Sequence, residues 1–220
     1  MNGPTQAIRD ESRWPPALAI LAVLFLLRAL PGHVFVIPVW VSYVAALAVL
    51  GAMAAVAVTR GSALWLGVER AIIVCLALVY GANTLVELAD MLGVITLHPS
   101  SRNAFSQLSS SVAIWVVNVL AFSLLYWQMD RGGPGARAKA TRVRPDWVFP
   151  QPAAPEDLPA DWRPLFLDYL YLGYSTATAF SATDVLPLTR RAKMLMMLES
   201  IISLLTTVIV LSRAINAIPS

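Results

Sequence analysis

Six ionisable side chains fall inside apolar stretches of this 220-residue chain: Arg28, Glu87, Asp90, Asp168, Glu199 and Arg213. Hydrocarbon makes such groups costly, so each is a candidate for binding or guiding something charged. Glu199 has the richest setting. At roughly 100° per residue, Ser203, Thr206, Thr207 and Arg213 fall within about a third of a helix circumference around it. A carboxylate and hydroxyls on one stripe can replace water around a cation and line a wet path. The packing alternative has the hydroxyls bonded to the preceding turn and Glu199 paired with a cation on a neighbouring helix. Glu87 and Asp90 share a face with Asn83, late in a run, where an interfacial position accounts for them. A second concentration of hydroxyls comprises Thr176, Thr178, Ser181 and Thr183, around Phe180 and ahead of Asp184.

Other chemistries lack their residues. There is no glycine-rich phosphate loop, nucleophile elbow, HExxH pair or internal repeat. The single cysteine, Cys75, excludes an intrachain disulfide and a zinc cluster, and its apolar surroundings suggest packing. His33 and His98 read as interfacial residues, and Met194, Met196 and Met197 as adaptable apolar contacts. No metal, cofactor or catalytic residue is expected, and no enzyme activity.

The elements that must position these groups are membrane helices. Of the residues, 58% are hydrophobic and 13% charged, against roughly a quarter charged in a soluble domain. About 20 apolar residues cross the hydrocarbon core as a helix with their backbone groups satisfied internally. Four runs qualify or nearly so: Trp14 to Leu30, Phe35 to Val58, Ala71 to about Leu97, and about Ala104 to Trp127. The first follows a polar stretch but lacks a small-x-small cleavage pattern, which predicts a retained helix. The second carries Ala48, Gly51, Ala52 and Ala55, which predicts a closely packed interior helix. These runs make residues 1–127 a four-helix region. Residues 128–163 turn polar and rich in Gly and Pro, as an aqueous, partly disordered loop. Residues 164–220 hold a shorter, more polar segment, Pro164 to Ala182, and a last helix, about Met194 to Ala217.

The stretch Thr176-Ala177-Thr178-Ala179-Phe180-Ser181-Ala182-Thr183-Asp184-Val185-Leu186-Pro187-Leu188-Thr189 resembles the pore loop of potassium channels, TATTVGYGDxxPxT. Thr176, Ala177, Thr178, Asp184, Pro187 and Thr189 match. An aromatic segment, Phe166 to Tyr174, stands where that family has its pore helix, and a full helix follows, so the resemblance covers roughly the last 60 residues. The departure falls on the filter. The carbonyls of TVGYG replace a potassium ion's hydration shell, whereas here Ala179-Phe180-Ser181-Ala182-Thr183 has neither glycine. A potassium-selective filter is therefore not expected. The C-terminal pattern from Asp168 to Asn216 also looks like that of bacterial membrane proteins labelled as of unknown function or channel-like.

Charge orders the helices across the bilayer. With the N-terminus inside, Arg9, Arg13, Arg60, Arg70, Arg131, Arg137, Lys139, Arg142, Arg144 and Arg163 lie on the cytoplasmic side, ten of 16 Lys and Arg. If Pro164 to Ala182 re-enters from that side, Arg190, Arg191 and Lys193 join them. Potassium-channel pore loops enter from outside, so the resemblance then implies an inverted pore, as in ionotropic glutamate receptors. If the segment spans fully, six helices result and these three residues lie outside.

The expectation is an all-α, polytopic transmembrane helix bundle, of five helices plus a re-entrant pore-like segment, or of six helices. It is expected to be a multi-pass cell-membrane protein with the lipid bilayer as its partner and no nucleic acid. The resemblance implies a channel-like homo-oligomer, a tetramer if a pore, passing monovalent cations. Pore-like residues would be Thr176, Thr178, Phe180, Ser181, Thr183, Asp184, Glu199, Ser203 and Thr206. The alternative is a non-conducting scaffold or accessory subunit whose contact surface is the 128–163 loop.

Overall fold

A computed structural model describes residues 12–29, 39–59, 61–97, 104–138, 143–150, 162–178 and 184–216. The fold is all-α. The helices are α1 (Trp14–Ala29), α2 (Val39–Val58), α3 (Ala63–Leu97), α4 (Ala104–Met129), a short α5 (Pro134–Ala138), α6 (Phe166–Thr178) and α7 (Arg190–Asn216). A 3-10 turn, Asp130–Gly132, follows α4. The only strands among the described residues, β1 (Trp147–Val148) and β2 (Leu186–Pro187), pair antiparallel. Among the described residues, three helices hold stretches long and apolar enough to cross a membrane: Ala63–Val86, Ser109–Arg137 and Arg190–Ser212. Shorter apolar stretches lie in α1 and α2.

The central helix is α4, which packs on α1, α3, α6 and α7. Its apolar stretch is 72% buried, against 28% for those of α3 and α7. The small residues of α2 do not make it the interior helix. Gly51 and Ala48 face outward, and a Cβ added to Gly51 would meet nothing within 4 Å. Its buried side is instead formed by Ala46, Val49, Ala52, Met53 and Val56. Cys75 is also exposed, on α3.

Helix ends meet at one end of the bundle, where most of the described basic residues collect. Arg13, just before α1, bonds Glu69 near the start of α3. Arg70 donates to the Gly132 carbonyl at the end of α4, and Tyr169 at the start of α6 donates to Asp130. Arg191, in the first turn of α7, grips Asp146. Thus α1, α3, α6 and α7 all start at this end, and α4 ends there.

The length of α6 decides what kind of element it is. Thirteen residues make a helix about 20 Å long, short of the roughly 30 Å that a span needs. Its last turn lies beside Ser200, whose hydroxyl reaches the Thr176 carbonyl at 3.4 Å. Ser200 is ten residues into α7, about 15 Å from its start. The chain then returns, so that Leu186 pairs with Val148 back at the basic end. α6 is thus a short helix whose chain comes back to the end at which it began.

The polar segment after α4 is folded where it is described. Asp130, Asp146, Trp147 and Phe149 are buried. Trp147 packs against Tyr126 with the rings tilted by 57° and their centroids 4.9 Å apart, and Phe149 meets Tyr169 edge-on at 5.3 Å. Aromatic surface of that size supplies the apolar contact that the Gly and Pro content concealed. Residues 139–142 and 151–161 lie outside the described residues.

Candidate functional site

Two polar clusters occupy the α4–α6–α7 module. The first is the platform at the basic end. Asp130 receives the Asp146 backbone N–H on Oδ1 at 2.8 Å and the Tyr169 hydroxyl on Oδ2 at 2.7 Å. Asp146 receives Arg191 bidentately, Nε on Oδ1 at 2.7 Å and a terminal nitrogen on Oδ2 at 2.6 Å. Its Oδ1 also accepts the Thr189 hydroxyl at 2.6 Å. Thr189 is the residue before α7 and accepts the Ala192 N–H at 3.3 Å, an N-cap that starts the helix where its free donors need one. Arg137 closes the other side, donating to the Trp127 and Asp130 carbonyls and lying 5.1 Å from the Tyr169 ring centroid. All four oxygens of the two carboxylates are therefore held.

The second cluster is a seam about 15 Å deeper along α7. Glu199 is 0% exposed. Its Oε2 accepts the Tyr126 hydroxyl of α4, while Oε1 has no partner. One turn on, Ser203 accepts the Asn118 side-chain amide at 3.0 Å, and the Asn118 Oδ1 is left unpartnered. Thr176, from α6, also buries a hydroxyl without a partner. Gly173 permits this contact. A Cβ there would lie 2.5 Å from Ser123 Oγ, 3.2 Å from the Val119 carbonyl and 3.4 Å from Glu199 Oε1. Three helices thus bring unpartnered polar atoms together in an interior where each costs on the order of 1–3 kcal/mol.

The expected site residues divide accordingly. Thr176, Glu199, Ser203 and Thr206 are buried in or beside the seam. The hydroxyls of Thr206 and Thr207 bond back to the carbonyls of Ile202 and Ser203, as packing alone would have them. The partner of Glu199, however, is a tyrosine hydroxyl and not a cation. Thr178 is exposed at the end of α6 and bonds back to Tyr174; Asp184 is exposed after the return. Asp168 sits in the first turn of α6 and accepts the Leu165 N–H at 2.7 Å, capping the start of the helix. Phe180, Ser181 and Thr183 lie outside the described residues, as do the side chains of Arg28, Glu87, Asp90 and Arg213.

Sequence reading missed Asn118 and Tyr126, although their spacing of eight residues sets them on one side of α4, and Asp130 in the turn that follows it. It also missed Asp146, hidden in a segment whose composition suggested disorder. With three helices among the described residues long and apolar enough to cross a bilayer, the chain has the build of a helical membrane protein. No family model, curated protein or solved structure matches it.

Proposed function

We propose that this is a channel-like, multi-pass membrane protein with five spans, in which α6 is a half-helix entering from the cytoplasmic, basic face and α7 carries small cations past it. The observation supporting this reading is the course of α6. It is about 20 Å long, ends beside Ser200 and is followed by a return to the end it came from. Half-helices that stop at mid-membrane are found where backbone must face a wet cavity, because lipid cannot hydrogen-bond it.

The positive-inside rule fits the same arrangement, since Arg13, Arg70, Arg137, Arg163, Arg190, Arg191 and Lys193 then share one side. Selectivity for potassium is not part of the proposal, because the returning segment lacks the filter glycines. The seam supplies the polar step. Glu199 offers a free carboxylate oxygen, and Asn118 and Thr176 offer further oxygens without partners. Because the stripe faces α4 within one subunit, the path runs along the α4–α6–α7 seam of each subunit, with Asp184 concentrating cations at its mouth.

A second reading is favoured by the same inward stripe: Glu199, Ser203 and Thr206 packed for good in a non-conducting scaffold. Liposome flux separates the two. Purified wild type should pass K⁺ and Na⁺ at similar rates, Glu199→Gln should lower both by about tenfold, and Asp184→Asn should lower them less. Absence of flux in folded, reconstituted wild type would favour the scaffold.

A further inference from the structure

A cavity of about 240 Å³ opens at the basic end, between the first turns of α3 and the turn that joins α4 to α5. It has room for several water molecules and so for a small polar group. Its polar lining consists of Glu69, Arg70 and Gln128. Glu69 is 1% exposed and already faces Arg13, whose Nε lies 3.2 Å from Oε1. That pair is neutral. Arg70 uses one terminal nitrogen to reach the Gly132 carbonyl at 2.9 Å and, among the described residues, pairs with no carboxylate. Gln128 is 1% exposed, and its Nε2 has no acceptor. The walls therefore carry one uncompensated positive charge and one buried N–H donor lacking a partner. Both needs are met by the same kind of group, an anion rich in acceptor oxygens.

The turn is shaped to leave this lining uncovered. Gly132 and Gly133 have φ of 82° and 95°, where a side chain is strained. A Cβ on Gly133 would also lie 3.0 Å from the Gln128 carbonyl and 3.1 Å from its Oε1. At Gly135 a Cβ would lie 2.6 Å from Leu66 Cδ1, so the missing side chain lets Leu66 close the apolar floor. The cavity sits where the apolar stretch of α3 begins and that of α4 ends, which places it at the level of the lipid headgroups.

We propose that this cavity binds the phosphate of an anionic phospholipid, held by the Arg70 guanidinium and the Gln128 side-chain amide. The site depends on the chain lying in a bilayer and not on whether it conducts. Native mass spectrometry of the full chain in detergent tests it, with phosphatidylglycerol and phosphatidylcholine titrated separately and inorganic phosphate in a third arm. Wild type should prefer phosphatidylglycerol, and Arg70→Gln should weaken that binding by about fivefold. Ala63→Phe, which adds bulk to the cavity lining without altering Arg70 or Gln128, should do the same. Arg144→Gln, on an exposed residue away from the cavity, should not. Phosphatidylglycerol binding unchanged in Ala63→Phe would overturn the proposal, even if Arg70→Gln failed to fold. Saturable binding of inorganic phosphate without any lipid preference would overturn the lipid assignment.

Discussion

The platform and the seam are built from the same materials, buried carboxylates facing tyrosine hydroxyls, and they differ in how completely those groups are held. At the platform, Asp130 and Asp146 use all four carboxylate oxygens on named donors. In the seam, Glu199, Asn118 and Thr176 each keep one atom without a partner. A buried polar network that is fully satisfied fixes geometry, whereas one left partly open requires a further partner to be stable. The platform therefore reads as the clamp that aims α6 and α7, and the seam as the less completely held of the two clusters.

Substitutions can sharpen or break this contrast. The largest effect is expected from Asp146→Ala. It removes the acceptor of Arg191 and Thr189 and with it the tie that holds the start of α7 against β1, at a cost of about 2 kcal/mol. Unfolding in a denaturing detergent titration measures it; a change below about 0.5 kcal/mol, the level of an ordinary surface site, would remove the clamp role. Gly173→Ala comes next. Its methyl would meet Ser123 Oγ at 2.5 Å and the Val119 carbonyl at 3.2 Å, forcing α6 off α4 at a cost of about 1–3 kcal/mol. Full retention of stability would mean that α6 does not lie so close. The smallest stability change belongs to Thr176→Val, which removes an unpartnered hydroxyl at nearly constant volume. It should be neutral or slightly stabilising, within about 0.5 kcal/mol. A clear loss of stability would show that the hydroxyl already has a partner, such as bound water, and would weaken the contrast.

Much of the architecture was legible because hydrophobic length is a local property. The runs beginning at Trp14, Ala104 and Met194 were found within a few residues of α1, α4 and α7. Errors came where a local signal had two meanings. The run expected to begin at Ala71 belongs to a helix that starts at Ala63, and its charged first turns find partners remote in sequence: Glu69 meets Arg13, and Arg70 the Gly132 carbonyl. Small residues in α2 looked like a packing seam, yet the close helix approach occurs at Gly173, a lone glycine in a polar segment.

The sequence by itself determined that the chain is helical and apolar enough for a bilayer, that its positive charges collect toward one side, and that Glu199 heads a polar stripe. Those properties follow from residue type and periodicity along a single helix. Only the tertiary structure decided that the chain turns back after α6, that the stripe turns toward α4, that Tyr126 meets Glu199, and that Asp146 ties down α7. Each of these depends on groups dozens of residues apart being brought within hydrogen-bonding distance, and no periodicity within one helix records which distant partner a buried polar group will find.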